Sequence, residues 1–521
     1  MSRIKFFNTT GPCDPKYHYM LPPEERLVGA QLHRYIRDGL YWALHAPRQT
    51  GKTAFLKGWM REINATDTNK AFYVSLEPCR GVKDVRDAMN IINGDIAKAA
   101  KLEGYPDPAP EGGAAEFLLS DTLRSLSQIV APKSLVMLFD DVNLLEDNPL
   151  VRFLSLLRAG FASRDAGVFP VSVALVGTHD PKNPLASSKD GVSLNPGTPF
   201  NIKADSATLS NFSRNDIARL FAQHTAETDR EITPAALNYV YEQSKGQPWI
   251  VNSLFKRAVM RVLDEDSVEP VTLEHVAEAR RQMIAASETH FDALREYLHD
   301  PRVRQMVQAI ISGDSSQLLG LSHADTEYVF DTGLICRDSV VGITFANPIY
   351  EELAIRYLTS ACHDSLPPDS WQWLSPEGDV DMDRLMREFQ KFWRRHSEIW
   401  EQKSDYTEAF PHLLLMAFLQ RVLNGGGRIE REYAAGRGRM DLAIEYNGKW
   451  HIVEVKIVHD YETPQFVEKE GLEQIRGYRD KIAPHTQSYL VIFDRRAKAK
   501  QLQWDDRITW RTEGDVTVAG C

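Results

Sequence analysis

Apolar runs of strand length alternate with segments of helical period through the first two hundred residues. "GLYWALHAPRQTGKTAFLKGWMREI" (39–63) opens as a short apolar strand, passes through a loop with Pro and Gly, and continues as a helix. "AFYVSLE" (71–77), "SLVMLFDD" (134–141) and "VSVALVGTHD" (171–180) are further strand-length runs, separated by helical stretches. Repeated strand–helix alternation predicts a parallel sheet covered by helices on both faces. "EGYPDPAPEGG" (103–113) reads as an irregular insertion on its surface.

The pattern then changes. Helices are predicted over 214–226, 234–245 and 246–263, a helical appendage rather than more sheet. Residues 299–360 follow with amphipathic helices and "GLICRDSVVGITFANPIYEELAIRYL", two short strands and a helix, a pattern that suits a winged helix. "SLPPDSWQWLSPEGDVD" (365–381) is rich in Pro, Ser and Asp and marks a boundary. From about 382 helices lead into "GRGRMDLAIEYNGKWHIVEVKI" (436–457), where apolar and polar positions alternate around Asn447-Gly448, a dipeptide suited to a tight turn between antiparallel strands. A helix over 468–482 and the strand "SYLVIF" come next.

At 521 residues the chain exceeds one core, so two to four domains are expected. No apolar run approaches the roughly eighteen residues that cross a bilayer, and "MSRIKFFNTTGPCDPKYHYM" lacks the apolar centre of a signal peptide. A cytoplasmic protein with no membrane partner is the expectation. The five cysteines show no paired spacing, so neither a disulfide framework nor a zinc motif is indicated. A net charge of -11 argues against a protein that coats nucleic acid. Residues 421–500 differ: 15 Lys and Arg stand against 12 Asp and Glu, so a polyanion is best received there.

Chemistry enters at two places. Ala46-Pro47-Arg48-Gln49-Thr50-Gly51-Lys52-Thr53 is a phosphate loop whose first position, usually Gly, is Ala. Gly51 lets the backbone wrap a phosphate, Lys52 reaches the terminal phosphates, and Thr53 offers its hydroxyl to Mg2+. Pro47, Arg48, Gln49 and Thr50 complete the cradle for ATP. Four apolar residues run into Asp140-Asp141, with Asp140 for the Mg2+ shell and Asp141 to orient the attacking water. Thr178 and His179 end the next strand, where either can sense the γ-phosphate; His179 reads equally well as a solvated loop residue. Arg158 and Arg164 are candidate fingers toward a neighbouring subunit's nucleotide, and if either acts in trans the protein is a homo-oligomer.

"FNTTGPCDPKYHYMLPP", "HAPRQTGKT", the apolar run into Asp-Asp and "GQPWIVN" resemble the predicted AAA-type and STAND-like ATPases of bacteria and archaea, over about residues 5–360. The resemblance implies an ATPase acting as a switch, with Pro248 placing a helical lid against the nucleotide. It also implies that "KYHYMLPP" packs near the adenine, with Tyr17 or Tyr19 either stacking or serving domain packing.

The second place is the alternating stretch. Glu454 and Lys456, two apart, project from one face of a strand, and Asp441 on the preceding strand is positioned to converge with them. Two carboxylates and the Val455 carbonyl offer the hard oxygen ligands that Mg2+ takes. Glu408 is a candidate third carboxylate, and Gln474 and Tyr478 share one face of a following helix, with Arg476 and Arg479 near for phosphates. Helix, Asp, E-x-K strand, then a helix with Gln resembles the PD-(D/E)xK nuclease superfamily over about 405–495, with Met rather than Pro before Asp441. Domains attached to such ATPases sometimes lose catalytic residues, so a hairpin with satisfied charges or a binding-only domain is the competing reading.

The expected fold is α/β: a P-loop NTPase sheet (1–205), a helical lid (206–295), a winged helix (296–362), a linker and helix (363–400), and a restriction-endonuclease-like domain (401–521). The expected function is an ATP-regulated, Mg2+-dependent nuclease, with DNA favoured over RNA and phage or mobile-element defence a fitting role. The alternatives are an ATP-dependent switch with a catalytically idle nucleic-acid clamp, and a scaffold that binds no nucleic acid.

Overall fold

The computed structural model describes residues 4–29, 31–109, 118–162, 164, 168–179, 203–264, 267–286, 289–312, 318, 320–339, 342–358, 379–401, 410–423, 427–435, 438–446, 448–482 and 487–521. They form two units. One comprises residues up to 290 with 321–335 and 346–349; the other comprises 291–320, 336–345 and 350–521.

The first unit is built on β1 (Leu27–Val28), β2 (Tyr41–His45), β3 (Asn69–Ser75), β4 (Ser134–Asp140), β5 (Ser172–Gly177) and β6 (Lys203–Leu209), in the order β1-β6-β2-β5-β4-β3. All neighbours are parallel except the short β1–β6 pair. Helices α1 (Leu32–Arg37), α2 (Lys52–Asn64), α3 (Val85–Leu102), α4 (Leu118–Ile129) and α5 (Asp147–Ala162) cover it. Both faces of the strands are apolar, as a two-sided parallel sheet requires. Leu135, Met137 and Phe139 of β4 join one core under α3–α5, while Val136 and Leu138 join the other, with Trp42, Phe55 and Trp59. Strand β6 was not foreseen: its sequence, KADSATL, is largely polar and small, and only Ala207 and Leu209 enter the core.

The helices α6 (Arg214–Thr228), α7 (Pro234–Ser244), α8 (Pro248–Arg257) and α9 (Leu273–Ala285) form the expected appendage. A capping box at Ser213 and Asp216 starts α6. Between α7 and α8, Lys245 and Gly246 both take left-handed backbone, and the Gly246 carbonyl accepts from the Phe212 N–H at 2.8 Å.

In the second unit α10 (Thr289–His299) and α11 (Pro301–Ser312) precede α12 (His323–Asp331), which belongs to the first. Then come β7 (Ile335–Asp338) and β8 (Gly342–Phe345), paired as a two-stranded sheet, and α13 (Pro348–Leu358). The C-terminal sheet uses β9 (Gly427–Ala435), β10 (Gly438–Tyr446), β11 (Lys449–Val458), β12 (Gln487–Asp494), β13 (Thr509–Glu513) and β14 (Val516–Gly520), in the order β13-β14-β12-β11-β10-β9. β9, β10 and β11 are an antiparallel meander, and β11, β12 and β14 run parallel. Helices α14 (Met382–Glu401), α15 (Phe410–Leu423) and α16 (Pro464–Ile482) pack around this sheet. α14 rests on the Phe493 face: Phe389 and Trp393 meet that ring, and Gln390 donates to the carbonyls of Thr509 and Gly520. α16 covers the other face through Leu472, Ile475 and Tyr478 against Ile452, Leu490 and Val518.

A Cβ at Gly246 would lie 1.9 Å from the Phe212 carbonyl oxygen, at a φ of +78°. Gly246→Ala is therefore expected to lose at least about 2 kcal/mol of stability, read as a lowered midpoint of thermal unfolding. An unchanged midpoint contradicts this account of the turn.

Candidate nucleotide site and candidate nuclease site

β2 ends in the loop 46–51. Positive φ at Gln49 (60°) and Gly51 (100°) turns the backbone, and Gly51 caps α2. Lys52 is buried, and its Nζ donates to the carbonyls of Ala46 at 2.7 Å and Pro47 at 2.8 Å. Burial pushes its pKa down to about 8, against the pull of Asp140 and Asp141, so it stays cationic at neutral pH. Thr53 Oγ1 donates to Asp140 Oδ2 at 2.6 Å, so the two residues expected to share a Mg2+ shell already touch. The Tyr73 hydroxyl donates to the same oxygen at 3.0 Å. Asp141 follows with φ 60°; burial, and then the charge of Asp140, raise its pKa to about 6.

The strand order inserts β5 between the loop strand and the Asp140 strand. Thr178, just past β5, donates its N–H to Asn143 Oδ1 at 3.0 Å and lines a cavity of about 550 Å3 with Arg48–Ala54, Asp141 and Asn143. That volume falls within the roughly 300–1,000 Å3 of small-molecule sites. His179 turns instead to α12, stacking on Tyr328 with centroids 4.7 Å apart and setting Nδ1 3.5 Å from Asp331.

The lid and the N-terminal segment close the cavity. Pro248, at the first turn of α8, lines it as expected. Trp249 Nε1 donates to the Thr9 carbonyl at 2.9 Å, and Arg26 donates to the carbonyls of Ser210 and Thr50 at 2.8 and 2.7 Å. Tyr19 reaches the wall, but its ring packs on Phe7 and its hydroxyl donates to Glu227 at 3.1 Å, which makes it a packing residue. Tyr17 is exposed and does not line the cavity. Arg158 is exposed on α5, whereas Arg164 donates to the Gly39 carbonyl and lies over Phe161, so it braces its own subunit.

In the C-terminal sheet the register runs from Tyr446↔Lys449 to Leu442↔Val453. Gly448, at φ 76°, serves the tight turn; Asn447 lies outside the described residues. Ala443 and Ile452 face each other in the core beneath α16, and Glu454 and Lys456 share the parity of Ile452. Asp441, one residue beyond the Leu442↔Val453 pair, has the parity of Ala443 on that same sheet; its side chain lies outside the described residues, as does Glu408. Glu454 is 2% exposed, and Lys456 Nζ sits 3.2 Å from its Oε1. Val455 is buried and pairs with Val491.

α16 comes close above these residues. A Cβ at Gly471 would lie 2.6 Å from Leu490 Cδ1 and 3.3 Å from Lys456 Cγ. Gln474, one turn on, carries a buried Oε1 with no hydrogen-bond partner among the described residues. Tyr478 belongs to the core, and Arg479 is paired with Asp515, so neither is offered to a phosphate in this state; Arg476 is exposed.

Residues 406–494 match the PD-(D/E)XK nuclease superfamily. The matched segment thus contains Asp441, Glu454, Lys456 and Gln474, and the chain joins it to a parallel α/β sheet that carries the phosphate-loop sequence. No curated protein matches the sequence. Among solved structures, the Walker-type ATPase of Pyrococcus abyssi is similar at 12% identity, over 67% of this chain and 99% of its own, with a TM-score of 0.46. Cdc6p from Pyrobaculum aerophilum is similar at 14% identity, over 64% and 92%, with a TM-score of 0.37. The RuvB Holliday junction branch migration motor of Thermotoga maritima is similar at 17% identity, over 62% and 91%, with a TM-score of 0.32.

Sequence reasoning passed over Tyr73, Asn143, Arg26 and Gly471. Asn143 had a signal, a lone amide in the apolar "VNLL" after Asp141, and so did Gly471, a glycine inside a helix. Arg26 and Tyr73 belong to no local pattern.

The contact of Tyr19 with the lid generates a pH dependence. His224 sits 3.3 Å from the Tyr19 hydroxyl, and burial, then Arg230, lowers its pKa from 6.5 to about 4. The unfolded chain binds the proton first. Stability from this pocket is therefore complete above about pH 6.5 and declines as pH falls toward 4. His224→Gln is expected to flatten that part of the stability–pH curve by on the order of 1–2 kcal/mol, measured by denaturant unfolding at pH 4.5 and 7.5. Parallel curves for the two proteins contradict it.

Proposed function

We propose that the chain is an ATP-controlled, metal-dependent nuclease, in which the P-loop core (1–205) and lid (206–295) switch a phosphodiester-cleaving domain (401–521). The observation that carries this reading is the buried Glu454 carboxylate held beside Lys456, under the helix that brings in Gln474.

The donor set suits a hard divalent cation: Asp441, Glu454 and the Val455 carbonyl are oxygen ligands on adjoining strands. Such an ion supplies acidification of a bound water and charge neutralisation at the scissile phosphate. The protein's own part is positional. Lys456 directs its ammonium at the water or the phosphate oxygens, and Gln474 Oε1 is an acceptor ready for that water. Gly471 sets how near α16 approaches. Glu408 is the proposed third carboxylate.

At the other site, Lys52 exchanges the carbonyls of Ala46 and Pro47 for the terminal phosphates of ATP. Pro47, Arg48, Gln49, Thr50 and Gly51 cradle the anion, Thr53 and Asp140 hold Mg2+, and Asp141 orients water. Binding energy moves the lid, and hydrolysis resets it. The local surplus of Lys and Arg over 421–500 supports nucleic acid as the substrate, and we favour DNA. No helix among the described residues is long and apolar enough to cross a membrane. Defence against phage or mobile elements fits a switch fused to a nuclease, and a ring or dimer fits if the exposed Arg158 reaches a neighbour's nucleotide.

Plasmid cleavage tests the reading. Wild type with Mg2+ is expected to cut, Lys456→Ala to lose at least about a hundredfold in rate, and Lys52→Ala to lose dependence on ATP. No cutting under any condition, with salt-dependent DNA binding retained, would instead establish a catalytically idle clamp.

A further inference from the structure

The lining of the cavity is mixed: beside the polar P-loop it includes the apolar Pro12, Leu21, Phe212, Leu220, Pro248 and Trp249, which suit a flat heterocycle rather than phosphates. Polar side chains share that lining, Asn8, Arg26 and Asn252 among them. Asn252, on α8, lines the same cavity and is 7% exposed.

Its amide nitrogen donates to the Pro248 carbonyl, one turn earlier, at 2.8 Å. A carbonyl only accepts, so this bond fixes which way the amide points. Oδ1 is left as a buried acceptor with no hydrogen-bond partner among the described residues. The position is firm, because Gln247 caps α8 by accepting from the Ile250 N–H at 2.7 Å and Trp249 ties the helix to Thr9 at 2.9 Å. An unsatisfied acceptor on a rigid wall of a ligand cavity selects for a ligand that brings a donor.

We infer that Asn252 selects the base of the bound nucleotide, its Oδ1 accepting a hydrogen bond from the exocyclic amino group of adenine. The inference rests on the ATP reading of the cavity. Guanine and hypoxanthine carry a carbonyl oxygen at that ring position, so acceptor meets acceptor, and the amide cannot reverse without giving up Pro248. Asn252 is thus a specificity residue, separate from the groups that meet the phosphates.

The test is equilibrium binding to the full chain with Mg2+, by displacement of a fluorescent ATP analogue, using ATP, purine riboside triphosphate (no 6-amino group) and ITP (6-oxo). Wild type is expected to bind ATP roughly tenfold or more tighter than either competitor. Asn252→Ala should weaken ATP by about the same factor and leave the other two within about twofold, so the preference collapses. Asn252→Ser replaces it if the alanine variant does not fold, and the wild-type series needs no variant. Equal binding of all three by wild type, or an unchanged ATP:ITP ratio in the variant, overturns the role of Asn252 and leaves the nucleotide site standing. If wild type binds no triphosphate, the ATP reading falls as well.

Discussion

A carboxylate taken out of water must be met by opposite charge or by donors, and both sites in this chain are organised around that demand. Glu454 is 2% exposed on the central strand of the C-terminal sheet, and Lys456 answers it from two residues along the same face. Asp140 is fully buried at the end of its strand, and Thr53 and Tyr73 answer it. In each case a helix is brought down onto the acid: α2, which follows β2, sets Thr53 on Asp140 through the turn at Gly51, and α16, which follows β11, comes close to Lys456 through Gly471. In the proposed function a cation or phosphate would take over these contacts, so the burial that holds the fold would also set the affinity.

The cavity at the phosphate loop is built from two parts. Its floor is the P-loop, while its roof is the N-terminal segment tied to the lid: Trp249 to Thr9, Tyr19 to Glu227, and Gln223 to Met20 in both directions. Arg26 bridges the roof's Ser210 to the floor's Thr50. An occupant of the cavity would touch both, which is the contact through which the proposed switch reaches the lid. α12 adds a second route on the same unit. His179, one residue past the cavity-lining Thr178, stacks on Tyr328, and a side chain at Gly333 would collide with Pro47 of the loop.

The strands that carry the motifs were legible because parallel burial leaves them apolar throughout: β2, β4 and β5 could be placed together with the residues at their ends. The meander around the Asn-Gly dipeptide was legible because alternation and turn chemistry agree. β6 and β13 were not, since KADSATL and TWRTE carry few buried side chains and gain their strand character from partners distant in sequence. Roles fixed by tertiary contact were equally hidden. Tyr19, which the sequence left between base stacking and domain packing, is a core side chain, the candidate finger Arg164 is bound to Gly39, and Tyr478 looked like a site residue and packs with Ile475. Met382–Glu401, read as a helix following a linker, packs on the C-terminal sheet through Phe389 and Trp393, which periodicity alone does not assign to one sheet or another.

In the proposed nuclease site Asp441 and Glu454 hold a divalent ion, with Lys456 beside Glu454. Anomalous scattering from crystals of the full chain grown with Mn2+ tests this most directly. A peak within coordination distance of the Glu454 carboxylate, shared with Asp441, is the predicted result. Full Mn2+ occupancy at the P-loop with nothing at Glu454, or the Asp441 carboxyl found on the opposite face of the sheet, would contradict it.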